Sequence, residues 1–348
     1  MERLSGPLSQ KSVQVALVAV LVVVVLKLLR KRLGNTGCKW PLDIWIDTYR
    51  EDAIDPDLEI IDPHHHLWDP RYHPKGWPLP LPMIQAWYAT TKPAVINKQV
   101  LDSMMKDHPA AVSSFVGRGL RAVPFVQPYM GQELELDIRN RDCGKRGHTV
   151  VKTVYLECGW DDQAVKEAMR PVGEARMAEQ VHAQHPRLCN AIVAGANLLL
   201  PDVEETFKAF PNTTIIIDHV AEPLGIGSYT REGTFPLWEK GIRELAKASK
   251  HVYVKLSGLG MCRTGFHFDD RPTPPSSAEL AEAWGPYFRV VLEAFGVQRC
   301  MFASNFPVDK VSCDYTVMWN AFKLIAANYS AADKRALFHD NAKRVYRL

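Results

Sequence analysis

The chain has 348 residues, 42 of them Lys or Arg and 39 Asp or Glu, with 47% hydrophobic and 23% charged. Those values exclude a disordered or fibrous protein and leave room for a large core, since one barrel domain uses roughly 250 residues. Residues 1 to 39 hold seven bases and one acid, leaving 35 bases and 38 acids beyond them; a body this mildly acidic lacks the basic face of a nucleic-acid binder.

The N-terminal bases flank a run from Val13 to Leu29, apolar apart from Gln14 and Lys27. Seventeen residues at about 1.5 Å each reach roughly 25 Å, near the lower limit for a bilayer core, and Lys27 can snorkel at one end. No small-residue cleavage site follows, so residues 1–33 are read as a retained single-pass anchor rather than a signal peptide. Four bases from Lys27 to Arg32, against Arg3 and Lys11 on the other flank, place the large domain in the cytosol by the positive-inside rule. Seven scattered cysteines without a CxxC pair agree with a reducing compartment.

After a juxtamembrane linker over 34–57, short apolar runs closed by polar residues alternate with helical stretches. Strands are expected within 58–66, 150–157, 190–197, 213–219, 252–257 and 300–305. Helices are expected near 133–143, 163–184, 236–249, 278–296 and 315–327. This βα alternation implies a parallel sheet. No GxGxxG or GxxxxGK[ST] follows the first strand, so a nucleotide-binding open sheet lacks its signature, and the polar residue at each strand end favours a (β/α)8 TIM-type barrel over residues 58–348. Only six strands are convincing; about two are not found, the gap falling between Asn197 and Thr213. Ser113 to Gln127 is a weak candidate for another strand, interrupted by glycines and Pro124. The Pro/Trp-rich insertion 70–128 reads as a cap over the barrel mouth.

Alternation along the first strand puts His64 and His66 on one side with Asp62, and Ile61 and His65 on the other. Two imidazoles on one side can share a metal or hold a carbonyl oxygen. His219 follows Asp218 at the end of a buried strand, where it can act as acid or base. By the same parity Asn305 groups with Met301 and Ala303, and Lys255 with Tyr253 and Ser257.

The segments DPHHHLWD (62–69), IIIDHVAEPLG (215–225), VKLSGLG (254–260) and RCMFASNFPVDK (299–310) resemble the successive strand-end motifs of the amidohydrolase-related family, the branch with sugar lactonases, dicarboxylate lactonases and decarboxylases. VVKTVYLECGW (150–160), RPVGEA (170–175) and the tail from Tyr315 are similar too. The resemblance implies a TIM-type barrel and hydrolase chemistry. It matches His64 and His66 to the family's first-strand pair, His219 to its sixth-strand histidine and Asn305 to its last-strand aspartate. Asn305 is an amide and cannot serve as the base that the aspartate supplies, and the family's fifth-strand histidine has no counterpart. The leading expectation is therefore a lactone hydrolase needing no metal. In it His64, His66 and Lys255 hold the carbonyl oxygen, His219 is the base, Asn305 orients water and Glu157 is a reserve acid or base. The alternatives are one divalent ion such as zinc on His64 and His66, and a catalytically impaired barrel that acts as a membrane-tethered scaffold. In the scaffold a partner or second copy covers exposed strand edges.

Overall fold

The computed structural model describes residues 41–69, 73, 128–160, 162, 164–165, 170–194, 214–248 and 250–348. The expected anchor at 13–29, almost all of the cap at 70–128 and the gap at 197–213 lie outside these residues. Among the described residues, no helix is long and apolar enough to cross a membrane.

All six expected strands form: β1 Ile60–His65, β2 Val150–Leu156, β3 Ala191–Val193, β4 Ile215–Ile217, β5 Val252–Leu256 and β6 Cys300–Phe302. They pair in parallel as β1-β2-β3 and β4-β5-β6. A parallel bridge from His65 to Phe306 joins the two halves. There the His66 N–H donates to Phe306 O (2.8 Å) and the Asn305 N–H to His64 O (2.9 Å). The described strands therefore run in the order β3-β2-β1-β6-β5-β4, with first and last side by side. A ring that closes on itself makes that neighbourhood, whereas a doubly wound sheet leaves its last strand at an edge.

Helices cover the outside: α2 Gly131–Ile138, α3 Arg170–Gln184, α4 Arg231–Ala248, α5 Ser277–Phe295 and α6 Tyr315–Ile325. Ser276 caps α5 in a Ser-x-x-Glu box with Glu279, and the Asp314 carboxylate caps α6 by accepting from the Thr316 and Val317 N–H groups; both satisfy donors that a helix start leaves open. Aromatic residues dominate the layer between ring and helices, with Phe302 stacked on Phe322 at 4.9 Å and tilted against Phe338 at 4.8 Å. After α7 Ala331–Arg335 the chain ends in α8 Asn341–Tyr346. Its Ala342 packs with Ile61 and Met301, near the start of their strands, and so plugs the N-terminal end of the ring.

Two features differ from the sequence expectation. The stretch read as a linker contains α1, Pro41–Ile46, whose Leu42, Trp45 and Ile46 are buried. Trp45 Nε1 donates to Arg271 O, past β5 (3.0 Å), and Asp43 Oδ1 lies 3.1 Å from Lys310 Nζ, past β6. The segment thus fastens to the loops that follow the strands.

The second difference is in β1. Ile61 packs with Met301 and the plug, while Asp62 turns to the other side, accepting from the Ser304 N–H (3.0 Å) and the Tyr315 hydroxyl (2.9 Å). Asp62 therefore does not share a side with the two histidines. The cause is a register shift between Asp62 and His65, around Pro63, which has no N–H to give to the ladder; the bulge resets the parity before His64.

Candidate active site

The C-terminal ends of β1, β4, β5 and β6 bring His64, His66, His219, Lys255 and Asn305 together. His64 Nε2 lies 3.1 Å from His66 Nε2, and His66 Nε2 lies 3.2 Å from Asn305 Oδ1. The His64 and His219 rings are 4.4 Å apart. His65 points away and is buried, its Nε2 2.8 Å from Thr153 Oγ1. Glu157, just past β2, is exposed, and its N–H donates to Val193 O.

The proton positions follow from the partners. Leu156 O can only accept, so His66 Nδ1, 3.1 Å away, carries the proton and Nε2 presents a lone pair. The Asn305 amide nitrogen donates to Asp309 Oδ1 (2.8 Å), which turns Oδ1 toward His66. When the ring is neutral, His66 Nε2 and Asn305 Oδ1 are both acceptors, 3.2 Å apart. In that neutral form His66 offers a lone pair at Nε2, whereas holding a carbonyl oxygen needs a hydrogen there. Such a pair suits a cation or a water that donates to both.

A divalent ion fits this arrangement. Ligand atoms about 2.1 Å from one metal stand roughly 3 to 3.4 Å apart, and the two contacts above fall in that range. Among the described residues no group of three or more His, Cys, Asp or Glu is placed to hold a metal, so a third donor here would have to be the neutral oxygen of Asn305.

Lys255 lies under His64 and is 1% exposed. Its Nζ is 2.9 Å from Asp218 Oδ1, 3.3 Å from His64 Nδ1 and 5.6 Å from the centre of the Tyr346 ring on the plug. Burial opposes the charge of Asp218, but His64 and Lys255 outweigh it and hold the carboxyl well below its ordinary range. His64 is pushed far below the usual histidine value, by burial first and then by Lys255. Lys255 thus sits behind the imidazole rather than in the space that the imidazoles face.

His219 opens a turn in which His219, Val220, Ala221 and Glu222 all have positive φ, between 48° and 61°. A left-handed valine is costly; Trp238 Nε1 donates to Val220 O (2.7 Å) and helps hold the turn. His219 Nδ1 lies 2.9 Å from Ser257 Oγ, and burial depresses its pKa to about 3, against the opposing pull of Asp218. At neutral pH His219 is uncharged and keeps one lone pair.

Asp309 is a site residue that strand patterns do not single out, because it sits in the turn after β6. Its carboxylate accepts from the Asn305 amide and from the Gly260 N–H (3.2 Å), and burial raises its pKa to about 7.

Comparison with known proteins bears on the family and the fold. Residues 191–348 match the family model described as amidohydrolase. An L-fucono-1,5-lactonase of Burkholderia multivorans is 31% identical over 154 residues, 43% of this chain and 48% of that protein. A second, from Burkholderia ambifaria, is 28% identical over 212 residues, 60% and 63% respectively. An uncharacterized protein of Sinorhizobium fredii is 38% identical over 144 residues, 41% and 42%. The chain thus spans about half the length of the curated relatives it matches. Among solved structures, an amidohydrolase of Burkholderia multivorans with bound Zn aligns at a TM-score of 0.52 and 17% identity, covering 83% of this chain and 99% of that one. The likeness carries the barrel fold. The expectation of a site that needs no metal finds no support in these comparisons.

Proposed function

From a chain whose C-terminal half, residues 191–348, belongs to the amidohydrolase family, we propose a hydrolase that opens a lactone or a related cyclic ester with the help of one divalent cation. The observation that carries this reading is the pair of acceptors, His66 Nε2 and Asn305 Oδ1, facing each other at 3.2 Å. His64, His66 and Asn305 would hold the ion, which supplies positive charge to polarise a carbonyl group. Zinc suits two imidazoles, and the sugar lactonases among the relatives favour the cyclic ester as substrate.

The chain's own groups do the rest. In the tautomer in which His219 Nδ1 donates to Ser257 Oγ, Nε2 is left to accept a proton from water and to return it to the leaving alkoxide. Asn305 cannot take that proton but can orient the water through Oδ1. Asp309 fixes the amide, and Lys255 supports His64 from below.

The reading is tested with purified protein on a panel of sugar lactones, with and without added zinc and chelator. His66→Ala and His219→Ala should each reduce turnover about 100-fold or more, and His65→Ala far less. Full activity in chelator, or equal activity in all three variants, would sink it. We also propose, from the sequence of residues 13–29 alone, a single-pass anchor with the barrel on the cytosolic side. Deleting 1–33 should release the protein from membranes, and carbonate-resistant sedimentation of the truncated chain would refute the anchor.

A further inference from the structure

His64 Nδ1 has two rival partners. Lys255 Nζ, 3.3 Å away in hydrogen-bond geometry, donates as an ammonium, and the carboxylate oxygen Asp218 Oδ1, 3.4 Å away at ion-pair distance and itself without a hydrogen bond among the described residues, can only accept. The two face one nitrogen at nearly equal distance, and they are themselves paired at 2.9 Å. Whichever partner prevails decides where the single proton of the neutral His64 ring resides.

If Lys255 prevails, Nδ1 accepts and Nε2 carries the hydrogen. One directional chain then satisfies three contacts: Lys255 Nζ donates to His64 Nδ1, His64 Nε2 to His66 Nε2 (3.1 Å), and His66 Nδ1 to Leu156 O (3.1 Å). In this state His64 Nε2 has no lone pair to offer. If Asp218 prevails, Nδ1 carries the hydrogen and donates to the carboxylate, and Nε2 is free to bind. Ring charge is the same in both states; the proton leaves one nitrogen, the other gains one by exchange with solvent, and Lys255 stays on Asp218.

We propose that Lys255 and Asp218 are positioning residues that set the tautomer of His64, Lys255 holding the form closed to a cation and Asp218 the form open to it. The proposal rests on the cation reading of the site but not on the identity of any substrate. It assigns the buried lysine a role that neither binding of substrate nor packing requires. A partner that orients a ligating imidazole typically changes metal affinity by about 10–100-fold. Here one partner acts for binding and the other against it, as a population tax on the competent form.

The test uses the full chain with zinc as the probe and does not depend on turnover. Nitrogen-15 spectra of the metal-free protein should show His64 protonated at Nε2, and zinc should shift the proton to Nδ1. In chelator competition Lys255→Met should bind zinc about tenfold more tightly, and Asp218→Asn about 10–100-fold more weakly. The spectra of the unsubstituted protein stand even where a variant folds poorly. A metal-free His64 already protonated at Nδ1, or a folded Lys255→Met protein with unchanged zinc affinity, overturns the proposal. Absent lactonase activity alongside the expected tautomer and affinities would instead count against the substrate class alone.

Discussion

His65 stands between the two candidate ligands and does something unlike either. It is fully buried, its Nδ1 makes no hydrogen bond among the described residues, and burial lowers its pKa from 6.5 to about 3. Above pH 6.5 the ring is neutral whether folded or not. Between 6.5 and 3 only the unfolded chain takes the proton, so the residue's contribution to stability falls as pH falls, by about 1.4 kcal/mol per pH unit. His65→Gln removes that dependence. The variant should therefore be most destabilised near pH 8, and its deficit should narrow toward pH 4 in urea titrations; a deficit that stays constant or widens refutes the assignment. Comparison with the parent is needed because Asp309, raised to about 7, acts in the opposite sense. Its protonated form is the folded one, so its contribution is lost as pH rises through 7.

At the scale of elements, the turn after β4 depends on the loop after β5. Gly258 has φ 76°, and a Cβ there would lie 2.4 to 2.7 Å from the Cβ, Cγ and Nδ1 of His219. Gly258→Ala should displace His219 and lower activity about as far as His219→Ala, roughly 100-fold. Gly227→Ala, also left-handed at φ 64° but with open space around it, should cost about 1–2 kcal/mol of stability and leave activity intact. Equal activity losses in the two would remove the steric argument. The strands themselves were legible, because a buried parallel strand is an apolar run with a polar end, and all six lie within the predicted ranges. The Asp62 orientation was not, since strict alternation has no term for a bulge at Pro63. Asp309 escaped for a related reason: the turn that folds it back to Asn305 has no period to read. The fit of His219 against Gly258 was visible only as two motifs that shared a resemblance.

The molecule as a whole is tied together by a buried charge cluster outside the site. Lys310 Nζ lies 2.8 Å from Asp137 Oδ2 and 3.1 Å from Asp43 Oδ1, Arg141 reaches the same two carboxylates at 2.9 and 3.1 Å, and Arg50 pairs with Asp47 and Asp314. This cluster pins α1 to the barrel. Removing one partner of a buried pair leaves the others uncompensated, at a cost of about 3–5 kcal/mol. Lys310→Met should lower the urea midpoint accordingly and open 41–57 to limited proteolysis. An unchanged midpoint would mean that solvent already screens the cluster.

The closure of β6 on β1 fixes when the chemistry can come into being. His66 and Asn305 are 239 positions apart in the chain, and the two backbone bonds that join the halves run beside that contact. Ribosomal synthesis supplies both imidazoles early and the amide oxygen that faces them nearly last, and pairings of such long separation are slow to form. A nascent chain released before residue 305 would carry both candidate ligands with nothing on the far side to meet them, so the proposed chemistry would have to wait until β6 has joined β1.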